Sequence, residues 1–198
     1  MSSLVFILCL SLIYDIILVF GESTFDKEEV VLNISQIYHI NRRNLEFYWK
    51  NFTGKIPKDA IPGGRDKEGK TTYIGQARLQ NGPIIPGQID RVSKKLFYYY
   101  IAVGYGVTEN VKILCSEHPE KFEWIKTNVE GLQTLTRKHF VPGGFDDGYP
   151  LLIGRANVKG QIVVGKVTIY YKYCGFAYAN GEETERKDYE FEILSYNP

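Results

Sequence analysis

The feature that most constrains this chain is an internal repeat. The segment at residues 61–78 (IPGGRDKEGKTTYIGQAR) returns at residues 141–156 (VPGGFDDGYPLLIGRA). Five landmark pairs keep one register across both copies: Gly63 and Gly143, Gly75 and Gly154, Gly82 and Gly160, Gly87 and Gly165, and Leu114 and Leu194. The offsets within these pairs run from 78 to 80 residues. We therefore expect two copies of one structural unit, with the glycines at positions of positive φ or close backbone approach.

Composition and local patterning favour β-strands. The chain has 15 Tyr, 11 Phe and 19 Gly but one Met, a mixture of strand formers and turn formers. Apolar or aromatic side chains alternate with others along residues 167–173 and 189–193, which is the period of a half-buried strand. The sequence predicts an all-β, sandwich-like fold with two similar sheets related by a pseudo-two-fold axis.

Two segments are ambiguous. Residues 22–47 precede the first copy, and their apolar residues fit either an added strand or a short helix. Residues 119–132 place four apolar side chains at helical spacing, namely Phe122, Ile125, Val129 and Leu132. The repeat instead aligns Trp124 with Trp49, at the opening of a strand. For this second segment we follow the repeat.

The repeated unit resembles the DM9 repeat family over roughly residues 48–196. The resemblance rests on Trp49 and Trp124, the two Gly-Gly-x-Asp turns at 63–66 and 143–146, Ile74-Gly75-Gln76-Ala77 and Ile153-Gly154-Arg155-Ala156, Pro86-Gly87-Gln88 and Val164-Gly165-Lys166, and the closing strand Tyr189-Glu190-Phe191-Glu192-Ile193-Leu194. The expected organisation is a signal peptide at 1–21, an N-terminal segment at 22–47, a first DM9 repeat at 48–116 and a second at 117–198.

The N-terminus resembles a secretory signal peptide. Residues 4–20 form an apolar run of 17, interrupted by Asp15 and followed by Gly21 and the acidic Glu22. A membrane-spanning helix usually needs about 20 clean apolar residues, so cleavage after Gly21 is favoured over anchoring. The sequence predicts a secreted, extracellular protein.

Two further features, the cysteines and the glycosylation sequons, are relevant if the protein is exported. Of the three cysteines, Cys9 leaves with the signal peptide, and Cys115 and Cys174 remain. They can form one disulfide, or they can be two separate buried thiols. Asn33 and Asn51 begin Asn-x-Ser/Thr sequons and are candidate glycosylation sites.

Charge and motif content argue against several functions. Removal of Asp15 leaves 24 basic and 22 acidic residues, a net charge of +2. The two signs are interleaved, which disfavours nucleic-acid binding. The three histidines, His39, His118 and His139, are scattered, and no metal-ligand spacing or nucleophile elbow is present. We expect no enzymatic activity, no metal and no cofactor.

The turns carry a set of side chains suited to sugar hydroxyls. A carboxylate accepts hydrogen bonds from two adjacent hydroxyls, and an ammonium donates to their oxygens. Spacing alone favours a simpler role for Asp66 and Asp146, which is to cap their own turns. The resemblance implies that Asp66 with Gln88, and Asp146 with Lys166, are the ligand-binding pairs. Gln88 departs from the Lys that the family pattern has there, and Val164 departs from its Pro.

Other candidate contacts have a structural alternative that we prefer. Arg155, whose counterpart is Gln76, is a further hydrogen-bond donor, and its structural role would be a cross-strand ion pair. The aromatic runs at 97–100 and 170–173 offer either core packing or an exposed stacking platform, and core packing is favoured for most of their members.

Three functions follow from these observations. The resemblance implies a calcium-independent, mannose-type pattern-recognition lectin of innate immunity, which binds glycans on microbial or host surfaces. The alternative is a structural or protein-interaction module without sugar binding. A pore-forming or toxin-like protein ranks last, because no convincing membrane-inserting segment follows residue 21. A lectin with weak single sites would favour a homodimer.

Export has a direct test. Protein secreted from a eukaryotic host should begin at Glu22, because a small residue precedes that position at the end of the apolar run. N-terminal sequencing of the secreted protein measures this, and secreted chains that begin at Met1 would contradict it.

Overall fold

The computed structural model describes residues 46–80, 82–132, 134–135, 138–169, 175–180, 184–187 and 190–198. The predicted signal peptide, nearly all of the 22–47 segment, Asn33 and Cys174 lie outside these residues. Among the described residues, no helix has the length and apolar character needed to cross a membrane.

The described chain is built almost entirely of strands. The first half contains β1 (Phe47–Asn51), β2 (Pro62–Arg65), β3 (Thr71–Arg78), β4 (Ile84–Ile89), β5 (Leu96–Tyr100), β6 (Val103–Val107) and β7 (Val111–Ser116). The second half contains β8 (Phe122–Thr127), β9 (Pro142–Asp146), β10 (Tyr149–Val158), β11 (Gln161–Thr168), β12 (Gly175–Ala179), β13 (Thr184–Lys187) and β14 (Phe191–Tyr196). A 3₁₀ turn at Pro119–Lys121 precedes β8, and a one-turn helix, α1 (Val129–Leu132), follows it. The predicted all-β fold class is confirmed.

The two halves repeat the same pairings strand by strand. In the first half β3 pairs with β2, β4 and β7, and in the second half β10 pairs with β9, β11 and β14. The landmark glycines face each other across equivalent strands, Gly75 opposite Gly87 and Gly154 opposite Gly165. All pairs are antiparallel, so short turns join most neighbours. The predicted pseudo-two-fold relation is confirmed, but the described strands pair into one 14-stranded sheet and not into two separate sheets.

The ambiguous segment at 119–132 is mainly a strand. Trp124 lies on β8 opposite Leu194, as Trp49 lies on β1 opposite Leu114. The repeat therefore predicted this strand correctly. The helical spacing corresponds only to the single turn α1, because the apolar residues of β8 already pair with β14.

The halves are joined by two equivalent strand contacts. Arg65 of β2 pairs with Ile162 of β11, and Phe145 of β9 pairs with Ile84 of β4. The pairings therefore close a circuit that runs β3, β2, β11, β10, β9, β4 and back to β3. Each half thus provides a pairing strand for the other half, at equivalent positions of the repeat.

The Gly-Gly pairs make these contacts possible. A Cβ atom at Gly64 would lie 1.9 Å from the carbonyl oxygen of Ile162, and one at Gly144 would lie 2.0 Å from that of Ile84. No side chain fits at such a distance, so the second glycine of each pair is required for the close approach of the other half. Gly82 and Gly160, in turns, have φ of +106° and +84°. Both expected roles of the glycines are confirmed.

Three apolar clusters fill the interior. One lies within the second half, one is formed by the first half together with Leu151 of the second, and the third combines both halves. The third contains equivalent residues from the two copies: Ile61 and Val141, Ile74 and Ile153, and Leu114 and Leu194. The halves therefore share a core and do not merely touch.

Substitution of the glycines at the contact should destabilise the fold strongly. Gly64→Ala and Gly144→Ala should each lower the free energy of unfolding by about 3 kcal/mol or more, because the new Cβ meets backbone that cannot rotate away. Gly160→Ala is the control, since its Cβ meets open space and only the left-handed φ costs about 1 kcal/mol. Urea unfolding measures all three, and equal losses would contradict the close-contact explanation.

Candidate functional site

A carboxylate and an ammonium meet at the edge of the second half. Asp146 ends β9, and the next two residues, Asp147 and Gly148, have φ of +48° and +80°, as in a tight hairpin turn. This turn places Asp146 beside Lys166 of β11, with Nζ 4.0 Å from Oδ2. The Lys166 side chain is 12% exposed and that of Asp146 is 28% exposed. The pair is therefore mostly buried but open to solvent on one side.

Two opposing effects act on the Lys166 ammonium. Burial lowers its pKa below the ordinary lysine value, and the negative charge of Asp146 acts in the opposite direction. Burial is the larger effect, because a charged group loses hydration when it leaves water. Asp146 thus partly compensates for the cost of placing a cation here.

The first half contributes two aromatic rings to this pair. Lys166 Nζ lies 5.7 Å from the ring centroid of Tyr99 and 5.5 Å from that of Tyr100, which is within cation–π range. Burial raises the pKa of Tyr100, and the charges of Asp146 and Asp147 raise it further. Asp147 directly follows Asp146 in the tight turn. The candidate site is thus Asp146, Asp147 and Lys166 from the second half with Tyr99 and Tyr100 from the first.

Asp66, the counterpart of Asp146, supports its own turn. Its Oδ1 accepts hydrogen bonds from the backbone N–H groups of Glu68 at 2.9 Å and Lys70 at 2.8 Å. Its backbone N–H donates to the Lys70 carbonyl at 2.9 Å. The simpler capping role that the spacing indicated is therefore present at Asp66.

Gln88, the counterpart of Lys166, is used between the halves. It is 4% exposed, and its Oε1 accepts from the backbone N–H of Val164 at 3.5 Å. The residue equivalent to Val164 is Pro86, which has no N–H to donate. Gln88 therefore satisfies the N–H of Val164. At the equivalent place in the other half, Pro86 has no N–H that needs an acceptor, and Lys166 could not accept a hydrogen bond.

The aromatic rings also lack counterparts. Gln88 pairs with Phe97, and Lys166 pairs with Ala177. By the same register, Ala179 and Asn180 stand where Tyr99 and Tyr100 stand in the other half. The first-half position thus has neither the ammonium nor the two rings of the candidate site.

Comparison with known protein families now bears on this geometry. The family model described as the DM9 repeat matches the chain twice, at residues 20–104 and 81–185. The chain belongs to the DM9 repeat family. The limits predicted for each repeat, 48–116 and 117–198, are not set by these matches and stay a prediction.

Seven chains of solved structures resemble this DM9 protein. One of them is the nematode sperm cell motility protein MFP2B, with 13% sequence identity and a TM-score of 0.52. The match covers 77% of this chain and 46% of that protein, so the chain spans less than half of its relative. This likeness shows the fold alone. Among the curated proteins, none matches the chain.

Arg155 has the structural role that the sequence favoured. Its Nε donates to Oε2 of Glu192 at 2.6 Å, and Glu192 lies on β14 directly opposite Arg155. The guanidinium lies 4.3 Å from the ring centroid of Trp124, and it donates to the carbonyl of Gly63 in the other half at 3.4 Å. The predicted cross-strand ion pair is confirmed, and it also links the two halves of the DM9 protein.

The remaining predicted residues lie away from the Lys166 site. Cys115 is buried on β7, and burial raises the pKa of its thiol to about 11. The Cys115–Cys174 disulfide stays a prediction, because Cys174 is outside the described residues. Asn51 is exposed at the end of β1. Within the described part of the chain, no three His, Cys, Asp or Glu side chains are placed to hold a metal.

Sequence reasoning missed the contribution of Tyr99 and Tyr100 to this site. The run at 97–100 was expected to be mostly core, and Tyr98 is indeed 5% exposed within the first-half cluster. Strand alternation shows that neighbours point to different sides. It does not show that a strand of the other half lies beside them.

The balance at Lys166 can be measured. Asp146→Asn should lower the pKa of the Lys166 ammonium further, because the attraction is lost and the burial remains. The ¹³Cε chemical shift of Lys166 followed against pH reports this value, and Asp66→Asn is the matched control. An unchanged or higher pKa in Asp146→Asn would show that the two groups do not interact.

Proposed function

We propose that this DM9 protein is a secreted, non-enzymatic pattern-recognition lectin that binds mannose-type glycans at the Asp146–Lys166 pair. The observation that carries the proposal is the juxtaposition of a carboxylate and an ammonium, 4.0 Å apart, with two tyrosine rings within 5.7 Å of the ammonium. A pattern-recognition role would follow from the glycans bound on microbial or host surfaces.

The pair supplies complementary hydrogen bonds for a sugar. The Asp146 carboxylate can accept from two neighbouring hydroxyls, and the Lys166 ammonium can donate to their oxygens. Hydrogen bonds to charged groups are stronger than neutral ones, especially where water is partly excluded. Because side chains fill both roles, the proposed contact needs no calcium ion.

The first half is the weaker candidate for sugar binding. Asp66 accepts two hydrogen bonds from its own turn, and Gln88 is buried against the second half. A ligand would have to compete with these internal bonds. The second half should therefore dominate binding.

The same observation favours a second candidate function. At Asp66 and Gln88 the family's site positions serve the fold itself, which is what a structural or protein-interaction module without sugar binding would require. The two functions differ in whether Asp146 and Lys166 bind an added sugar.

Binding of methyl α-mannoside separates them. Asp146→Asn and Lys166→Met should each weaken binding by about tenfold, since a charge-assisted bond contributes roughly 1.5–3 kcal/mol against about 1 kcal/mol for a neutral one. Gln88→Ala should change affinity little. The methionine retains the buried stem of Lys166, so that folding is preserved. NMR titration in the presence of EDTA measures all dissociation constants.

Asp66→Ala is the control for a change that acts through stability. It should lower the free energy of unfolding by about 1–2 kcal/mol, because two backbone N–H groups lose their acceptor, and it should leave affinity nearly unchanged. Equal losses of affinity in the two halves would show that an amide suffices. Sugar binding that none of these variants alters, or no binding by the wild type, would favour the structural module.

A further inference from the structure

The hairpin formed by β5 and β6 fixes the two tyrosines that border the site. Its turn residues, Ile101 and Ala102, have φ of +47° and +61°, the left-handed values of a two-residue hairpin turn. Tyr98 is buried and stacks on Tyr105, with ring centroids 5.2 Å apart. This stack holds the hairpin in the first half, so the next two side chains project from an anchored strand.

The hairpin crosses the boundary between the halves. β5 lies against β11 and β12 of the second half, which brings Tyr99 and Tyr100 to the Lys166 side chain. Both tyrosines are partly exposed. Packing of the core therefore does not use all of their surface, and both rings lie within 5.7 Å of the Lys166 ammonium.

The charges around this surface are not balanced. Asp147 directly follows Asp146 in the tight turn after β9, and the Lys166 ammonium lies 4.0 Å from Asp146. Two carboxylates near one ammonium leave an excess of negative charge. An anionic ligand would be repelled here, whereas a neutral polyol would find both acceptors and a donor.

We propose that Tyr99 and Tyr100 of the first half are the wall on which the ligand of the second-half site stacks, and that this ligand is a neutral pyranose with adjacent hydroxyls and one apolar face. An aromatic ring covers the apolar face of a sugar and holds it while the polar groups bind the hydroxyls. The proposal rests on the proposed function. According to this proposal, residues of both halves form the binding site, and the site selects neutral sugars over negatively charged ones.

Substitutions on one hairpin test the wall. Tyr99→Leu and Tyr100→Leu fill the space but lack a flat ring, and each should weaken binding of methyl α-mannoside by about fivefold. Tyr99→Phe and Tyr100→Phe keep the ring and should stay within about twofold of the wild type. Tyr105→Phe, on the same hairpin, keeps the ring that stacks on Tyr98, and as the matched control it should bind like the wild type. Urea midpoints confirm that each variant is folded.

A charged sugar tests the selection. Methyl mannosiduronate, which carries a carboxylate at C6, should bind the wild type at least about fivefold more weakly than methyl α-mannoside, and Asp147→Asn should narrow this difference. An acid that binds as tightly as the neutral glycoside would overturn the neutral-ligand part of the proposal.

The outcomes separate this proposal from the one on which it rests. If the wild type binds mannoside and loses affinity in Asp146→Asn and Lys166→Met but not in the leucine variants, the aromatic wall is wrong and the lectin function stands. If the wild type binds no sugar, both are wrong. Loss of affinity in the leucine variants, with retention in the phenylalanine variants, supports the wall.

Discussion

The structure depends on one backbone contact made twice. Gly64 lies under the carbonyl of Ile162, and Gly144 lies under the carbonyl of Ile84, at distances that leave no room for a Cβ. Through these contacts each half pairs a strand with the other half, and equivalent apolar residues of both halves form a shared core. A single DM9 repeat would leave both the strand edge and this apolar surface in water. The tandem arrangement is therefore the unit that can fold, and a change at either glycine affects both halves.

The same interlocking allows the two halves to take different roles. In an exact two-fold structure, each site would contain the same side chains. Here Val164 replaces the Pro of the family pattern and so gains an N–H, and Gln88 replaces the Lys and accepts from it. On the opposite side Pro86 donates nothing, and Lys166 is left to pair with Asp146. The two departures from the family pattern thus contact each other across the boundary between the halves. Gln88 bonds the first half to the second, and the same residue stands where the family pattern has a cation.

The sequence predicted the parts of this arrangement that depend on local pattern. The register of the glycines predicted two copies of one unit, and the counterparts take equivalent places, with Gly75 opposite Gly87 and Gly154 opposite Gly165. The alignment of Trp124 with Trp49 predicted β8, although the apolar spacing was helical. It paired Asp146 with Lys166 through family resemblance, and the structure places them 4.0 Å apart. It could not place Tyr99 and Tyr100 beside Lys166, because this contact depends on how β5 of one half packs on β11 of the other. The periodicity of side chains along one strand does not indicate which strand of the other repeat lies beside it.

Under the proposed function, the described residues contain one complete site, which would limit how the protein engages a glycan surface. The pair at Asp146 and Lys166 is small and partly exposed, and contacts of this size to one sugar give weak affinity after the cost of association. Two equal sites in one chain could have offset this by avidity, but the first-half position has Gln88, Ala179 and Asn180 where the second has Lys166 and the tyrosines. Multivalent binding would therefore have to come from several chains held together. Under the proposed function, the contacts that join the repeats into one fold would thus place the source of avidity in the oligomer and not in the repeat.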